Sequence, residues 1–346
     1  MWRNQQRISN FNTPGLIQSL VITSDPQYPW TDCTDGRPFE TCGSSNLSPC
    51  STCSQSTCPE DQSTKERRSE ALILQQYSNI NMYTDTVQNA SVLINGDMTA
   101  FGHDDIFNPE WRKIKEFLGF LKRPYYFGLG NHDIQNNFNN CANNGCFKNS
   151  LENLISHVQG YRLPSSQFDY RTEPGGTHWG FPVTRHLGSF AYTVNFGSIC
   201  SIQLQNFPTT NAMAEPTITN PNEFHIFENL NWFEDQLRLA RQNRKTIIVN
   251  VHKPDDWAGG PSTRFKNLLQ QYNVAAVFCG HYHTTYGEVK WAWNYFDSIP
   301  VFLSGGASQR TYLILEQFSD RLDIYSVTCN DWRSRTLART IKLPIS

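Results

Sequence analysis

Five short clusters of polar residues carry side chains from which a metal centre could be built. They are Asp25-Pro-Gln27, Gly96-Asp97, Gly130-Asn-His-Asp133, His252 and Gly280-His-Tyr-His283. Together they offer carboxylate, amide and imidazole groups, which suit Mn, Fe or Zn better than Mg or Ca. Two such ions held about 3.5 to 4 Å apart can share a water, lower its pKa and clamp the oxygens of a phosphate group. The clusters therefore predict two divalent transition metal ions and a phosphate-ester substrate.

Each cluster directly follows a predicted strand. Runs of apolar residues predict these strands at Ile17 to Ser24, Ser91 to Asn95, Tyr125 to Leu129, Thr246 to Val251 and Val274 to Cys279. Apolar residues at helical spacing lie between several of them, which predicts an α/β fold. Ligands of open α/β sheets bind at the carboxyl ends of the strands, so the five clusters predict one common site. After residue 298, short strands beginning with Val301 to Ser304 predict an antiparallel closing layer.

The order of these motifs resembles the calcineurin-like metallophosphoesterases, whose motifs are DxH, GD, GNH[DE], a lone H and GHxH. The resemblance covers residues 17 to about 307, and five motifs in order are far more specific than any one of them. It implies a four-layer αββα sandwich of two mixed β-sheets flanked by helices. We expect a single domain over residues 1–346, with a Cys-rich insertion at about 30–62 and an aromatic-rich insertion at about 134–188.

The resemblance also implies roles for the motif residues. The first metal would be held by Asp25, Gln27, Asp97 and His283. The second would be held by Asp97, Asn131, His252 and His281, so that Asp97 bridges the two ions and a hydroxide between them attacks phosphorus. His132 matches the family's non-ligand histidine, which stabilises the transition state or protonates the leaving oxygen, and Asp133 is expected to orient its imidazole.

Two positions depart from the common family pattern. Gln27 stands where most members have histidine, although some members that resemble the calcineurin-like phosphatase-domain protein also show Asp-Pro-Gln. Ala100 stands where purple acid phosphatases place an iron-binding tyrosine, which excludes that subgroup. A non-catalytic binding protein on the same fold is the alternative, with Gln27 marking a decayed site. The retained His132-Asp133 pair argues against it.

Ten cysteines bear on the compartment of the protein. Five of them, from Cys33 to Cys58, lie in one polar stretch, which predicts at least one disulfide there; a zinc knot that begins at Cys50-Ser-Thr-Cys53 is the competing interpretation. Cys141 and Cys146 predict a second, local bridge, whereas Cys200 and Cys279 lie in apolar strands and predict buried thiols. Disulfides favour a secreted or extracytoplasmic protein, with a cytoplasmic one as the alternative.

Charge and hydropathy exclude several classes of partner. The chain of 346 residues has 29 basic and 31 acidic residues, so it has no basic field for nucleic acid. It also has no run of about 20 apolar residues that could cross a bilayer, and the sequence identifies no protein partner. Residues 134–188 lack clear periodicity but hold Phe168, Tyr170 and Trp179, which predicts an ordered loop that covers the metal edge and contacts the organic part of the substrate.

Overall fold

Residues 13–36, 60–255, 257, 260–290 and 293–343 are described by the computed structural model. The strands in this part of the chain are β1 (Gln18–Thr23), β2 (Ala90–Asn95), β3 (Tyr125–Gly128), β4 (Arg171–His178), β5 (Phe181–Gly188), β6 (Tyr192–Phe196), β7 (Ile199–Gln203), β8 (Ala212–Ala214), β9 (Glu223–Ile226), β10 (Thr246–Asn250), β11 (Ala276–Cys279), β12 (Tyr286–Glu288), β13 (Val301–Ser304), β14 (Tyr312–Gln317), β15 (Arg321–Val327) and β16 (Thr336–Lys342). The helices are α1 (Gln62–Thr84), α2 (Glu110–Leu118), α3 (Asn131–Ile134), α4 (Gly145–Gly160), α5 (Leu230–Gln242), α6 (Thr263–Gln271) and α7 (Trp293–Phe296).

Two six-stranded mixed sheets form the centre of the fold. The first has the order β16-β15-β14-β1-β2-β3, with β1, β2 and β3 parallel and the other three added antiparallel. The second has the order β12-β13-β11-β10-β7-β6, with four parallel strands between two antiparallel edges. The expected antiparallel closing layer is therefore wrong in part, because β13 pairs in parallel with β11 and only β14 to β16 continue the first sheet as antiparallel strands.

The sheets pack face to face through a shared apolar core. Val21 and Val92 of the first sheet and Ile248, Phe278 and Phe302 of the second belong to one buried cluster, which α1, α2 and α4 extend on the far side of the first sheet. Neighbouring residues of the second sheet alternate in direction, so Val249 and Val277 join a second cluster with α5 and α6. This order of layers confirms the predicted αββα sandwich.

Residues 134–188 are more regular than the predicted loop. They contain α4, in which Phe147, Leu151, Leu154 and Val158 are buried at helical spacing. They also contain the hairpin β4–β5, which belongs to a third sheet of order β4-β5-β9-β8. Most residues of β4 are exposed, so no alternation of apolar and polar residues marked it as a strand.

The cysteines confirm several predictions. A disulfide joins Cys141 to Cys146, and Cys200 and Cys279 are free, buried thiols. Cys33 is disulfide-bonded, as is Cys329, for which the sequence made no prediction. The other cysteines of the predicted Cys-rich insertion, and with them the possible zinc knot, lie outside the described residues. Among the described helices, none has the length and apolar character needed to cross a membrane.

The stability of the fold should depend on pH through Glu110, the first residue of α2. The Glu110 side chain accepts hydrogen bonds from the backbone N–H groups of Phe101, Gly102 and His103, yet burial raises its pKa from 4.5 to about 7. The folded protein therefore holds this proton more tightly than the unfolded chain. Stability from this group is complete below pH 4.5 and is lost as the pH rises through 7.

We therefore expect Glu110→Gln to unfold at the same urea concentration as the wild type near pH 4.5, and at a higher one at pH 8. The difference at pH 8 is at most about 3 kcal/mol, because one pKa unit corresponds to about 1.4 kcal/mol. Urea unfolding at the two pH values measures it. The same difference between the urea midpoints of variant and wild type at both pH values would show that the Glu110 proton is not bound more tightly in the folded state.

Candidate metal centre

The five motif loops meet at one edge of the two sheets. Asp25, Asp97 and His283 offer ligand atoms that all lie within 4.8 Å of one another, and so do Asp97, His252 and His281. Asp97 belongs to both groups. These loops follow β1, β2, β10 and β11, so the sandwich brings the carboxyl ends of strands from both sheets to one place.

In both Asp25 and Asp97, one carboxylate oxygen accepts a backbone hydrogen bond and the other accepts none from the described residues. The backbone N–H of His281 donates to Asp25 Oδ2 at 3.1 Å, and that of His132 donates to Asp97 Oδ1 at 2.8 Å. Asp25 Oδ1 and Asp97 Oδ2 are buried and have no hydrogen-bond partner among the described residues. A buried carboxylate oxygen is costly to leave unpaired, so two of them at one point fit a bound cation.

Two imidazoles are fixed so that their Nε2 atoms face these carboxylates. His252 Nδ1 donates to the Asn95 carbonyl at 2.7 Å, and His283 Nδ1 donates to Asp35 Oδ1 at 2.6 Å. In a neutral imidazole the remaining nitrogen then carries the lone pair. His252 Nε2 lies 3.1 Å from Asp97 Oδ2, and His283 Nε2 lies 3.3 Å from Asp25 Oδ1. Each Nε2 therefore faces a carboxylate oxygen at a distance at which a proton or a metal ion can join the two atoms.

Two amide side chains, those of Asn131 and Gln27, lie beside these groups. Asn131 Oδ1 lies 3.0 Å from His252 Nε2. Gln27 is fully buried, and neither Oε1 nor Nε2 of its side chain has a hydrogen-bond partner among the described residues. The Gln27 backbone N–H donates to the Asp97 carbonyl at 2.9 Å, which places this residue beside Asp97. An unpaired buried polar group costs about 1 to 3 kcal/mol, and a metal ion bound to Oε1 would remove the share of the oxygen.

The charges of these groups depend on one another. Burial opposes the charge on Asp97, but the imidazoles of His252 and His132 hold its pKa below the ordinary value. Burial also opposes the charge on His252, but Asp97 and Asp25 raise its pKa to about 9. In contrast, burial and the charge on His252 lower the pKa of His281 to about 4. Without a cation the cluster thus retains a proton, and a divalent ion would replace it.

The backbone is strained at four of the predicted ligands. Asp25, Gln27, Asp97 and His281 have φ angles of 53°, 42°, 48° and 73°, a region that residues other than glycine seldom adopt. Such outliers cluster at functional sites, where the surrounding structure holds them in place. Gly130 shows how closely the loops approach, because a Cβ atom there would overlap the Asp97 carboxylate.

His132 lies beside this cluster, but its partner differs from the expected one. His132 Nδ1 is 2.8 Å from the Ala100 carbonyl, whereas the Asp133 carboxylate accepts bonds from the backbone of Met98, Thr99 and Gly130 and from the Thr99 hydroxyl. Asp133 therefore ties the third motif loop to the second and does not orient the imidazole. The prediction for Asp133 was wrong, because Asp133 is the third residue of α3 and its side chain turns back to the backbone N–H of Gly130.

Two residues that the sequence analysis did not single out also lie at this edge. Asp35 contacts His283 as described above, and the Trp30 ring meets the rings of His132 and His283 edge-on at 5.1 and 5.8 Å. Both lie in the segment that begins the predicted Cys-rich insertion. No local spacing could have identified Asp35, because its partner His283 is 248 positions away.

The aromatic residues of the second predicted insertion make their contacts elsewhere. The Tyr170 ring packs on the rings of Phe168 and Phe190, and its hydroxyl is 2.8 Å from His186 Nδ1. Within the described residues, no hydrogen bond, ion pair or ring contact joins 168–179 to the predicted ligands. The role of this segment in covering the metal edge stays a prediction.

Two mixed sheets that carry carboxylate, amide and imidazole groups on their strand-end loops define the class of α/β dimetal hydrolases. A family model described as calcineurin-like phosphoesterase matches residues 58–285, which is more than half of the chain. The chain therefore belongs to the calcineurin-like phosphoesterase family. This membership confirms the resemblance read from the motifs, and it supports metal-dependent hydrolysis of phosphate esters at a dinuclear centre as the general activity.

Solved structures show the same fold at low sequence identity. A dimetal phosphatase from Danio rerio is 11% identical, with a TM-score of 0.50, and the match covers 96% of this chain and 100% of that one. A purple acid phosphatase from yellow lupin (Lupinus luteus) seeds is 10% identical, also with a TM-score of 0.50, over 94% of this chain and 53% of that one. No curated protein sequence matches the chain.

Proposed function

We propose that this protein hydrolyses phosphate esters with two divalent transition metal ions, Mn, Fe or Zn, held by its strand-end loops. The first ion would be held by Asp25, Gln27, Asp97 and His283. The second would be held by Asp97, Asn131, His252 and His281. The observation that supports this assignment most strongly is that Asp25 Oδ1 and Asp97 Oδ2, which have no hydrogen-bond partner among the described residues, each face an imidazole nitrogen.

The bound ions and two groups of the protein would share the work of the reaction. Bound divalent ions would neutralise phosphate charge and make the attacking water more acidic. The backbone N–H of His132 orients Asp97 through Oδ1, which leaves Oδ2 at 3.1 Å from His252 Nε2. The Ala100 carbonyl occupies Nδ1 of His132, so Nε2 is the nitrogen that would give a proton to the leaving oxygen.

An activity panel tests this proposal. Metal-stripped protein would be reloaded with Mn, Fe or Zn and assayed against small phosphomonoesters and phosphodiesters with the same nitrophenyl leaving group. Turnover that requires metal would support the proposal, and the ratio between the two esters would establish which one the site prefers. Stoichiometric binding of metal with no turnover of either ester would instead favour the non-catalytic binding protein.

The amide ligand makes a separate prediction. We expect Gln27→His to raise the affinity of the first metal position, because imidazole is a better donor than an amide oxygen for the metals that suit this site. The second position, with Asn131, His252 and His281, should not change. Titration of Mn into stripped wild type and variant, with activity followed in parallel, measures both. Two equally tight positions in the wild type, unchanged by the substitution, would show that Gln27 is not a ligand.

We also propose that the protein acts outside the cytoplasm. The disulfide between Cys141 and Cys146 and the bonded states of Cys33 and Cys329 support this location, because disulfides persist in oxidising compartments.

A further inference from the structure

We propose that Asp35 is a positioning residue that fixes the His283 imidazole for the first metal position. This inference rests on the proposed function, because it assumes that His283 is a ligand. Asp35 is not part of any motif of the site and lies between Cys33 and the segment 37–59 of the predicted Cys-rich insertion. It is nevertheless the carboxylate in contact with the outer nitrogen of His283, at 2.6 Å.

The Asp35 carboxylate is held rigidly by four donors. Oδ1 accepts from His283 Nδ1 and from the Trp30 indole N–H at 2.7 Å. Oδ2 accepts from the Ser308 hydroxyl at 2.6 Å and from Gln309 Nε2 at 2.7 Å. The side chain is only 3% exposed. A buried carboxylate with every direction occupied cannot rotate away, so it fixes both the ring plane and the tautomer of His283.

His252 and His283 differ in the group that accepts a hydrogen bond from Nδ1. His252 donates its outer N–H to a neutral backbone carbonyl, whereas His283 donates to a charged carboxylate. A charged acceptor at Nδ1 makes the lone pair on Nε2 a stronger ligand for a cation. His283 belongs to the same proposed metal position as Gln27, the weak amide ligand. Asp35 thus compensates at the first position for the imidazole that Gln27 replaces.

Asp35 also connects the first metal position to His132 through Trp30. It accepts a hydrogen bond from the Trp30 indole, and the Trp30 ring makes edge contacts with the rings of His132 and His283. A merely structural role, that of tying residues 30–36 to the turn at Ser308 and Gln309, would instead leave metal binding unchanged. Metal affinity at the first position therefore separates the two interpretations without an activity assay.

The experiment compares Asp35→Ala, Asp35→Asn and a control, each stripped of metal and titrated with Mn by calorimetry. The matched control is Asp169→Asn, because Asp169 is a buried carboxylate that accepts bonds from Ser189 and Asn229 and makes none with the proposed ligands. Urea unfolding of each stripped variant establishes that it is folded and measures its loss of stability.

We expect Asp35→Ala to weaken binding at the first metal position about 10- to 100-fold, the usual effect of removing a residue that orients a ligand, and to leave the second position unchanged. Asp35→Asn should recover part of the loss, because its amide oxygen still accepts the His283 N–H. Asp169→Asn should bind both ions as the wild type does.

Two outcomes would contradict the inference, and they are distinguishable. If the wild type binds two ions, and Asp35→Ala binds each of them as tightly as the wild type does but is less stable, Asp35 is structural and the proposed function is unaffected. If the wild type binds fewer than two ions, the proposed dinuclear centre is wrong, and the role of Asp35 is wrong with it.

Discussion

Asp97→Asn is expected to lose most of the bound metal and nearly all turnover while the protein stays folded. Asp97 belongs to both groups of proposed ligands, so its removal weakens both positions at once. The amide oxygen can still accept the His132 backbone N–H in place of Oδ1. The amide nitrogen would then replace Oδ2 and direct hydrogen atoms toward the cations, where a negative charge was needed.

Elemental analysis of metal per chain, together with kcat for the preferred ester, measures the effect of Asp97→Asn. Asp169→Asn is again the control, because it exchanges one buried carboxylate for an amide away from the proposed ligands. Wild-type turnover in Asp97→Asn would rule out the assignment of two metals to these residues.

His132→Ala is expected to retain both metals and to lose rate by about 100- to 10,000-fold, the range for a missing acid or base group. Metal should remain because alanine keeps the backbone N–H that orients Asp97 Oδ1. The rate should fall because the variant lacks the imidazole that the Ala100 carbonyl holds in place, and with it the proton for the leaving oxygen. The loss should be smaller for a nitrophenyl ester than for an alkyl ester, since a nitrophenolate leaves without protonation.

Measured kcat for a series of esters with leaving groups of different basicity tests that dependence. An equal loss for every leaving group would show that His132 does not act as the acid. A parallel loss of bound metal would identify His132 as a ligand instead, and would also question the separate role of the Ala100 contact.

The sequence predicted that the groups that each follow a strand lie together, whereas their role as metal ligands stays a prediction. Asp25, Asp97, Asn131, His252 and His283 were predicted from apolar runs that end in polar motifs, because parallel strands bring such ends to one edge. The same runs predicted an α/β fold, the resemblance implied the two mixed sheets, and the family model confirms that resemblance. Contacts within one loop are local, so local patterns predict them.

Contacts between distant loops were not predictable in this way. Asp35 has no neighbour in sequence that marks it, and its role depends on how the segment after β1 folds against His283. The partner of His132 is a backbone carbonyl at Ala100, an interaction that no residue type encodes. Asp133 was misjudged because neighbours along a helical turn point in different directions. The helix α4 was missed although its buried residues have helical spacing, because polar residues surround them.

The meeting of loops from both sheets has a consequence for the kinetics of folding. His281 and Asp25, which are joined by a hydrogen bond, are 256 positions apart in the chain. Because Asp25 follows a strand of the first sheet and His281 a strand of the second, this contact requires the two sheets to be packed together. A metal ion at this edge would therefore bind only the finished fold, so it would slow unfolding and leave the rate of folding almost unchanged.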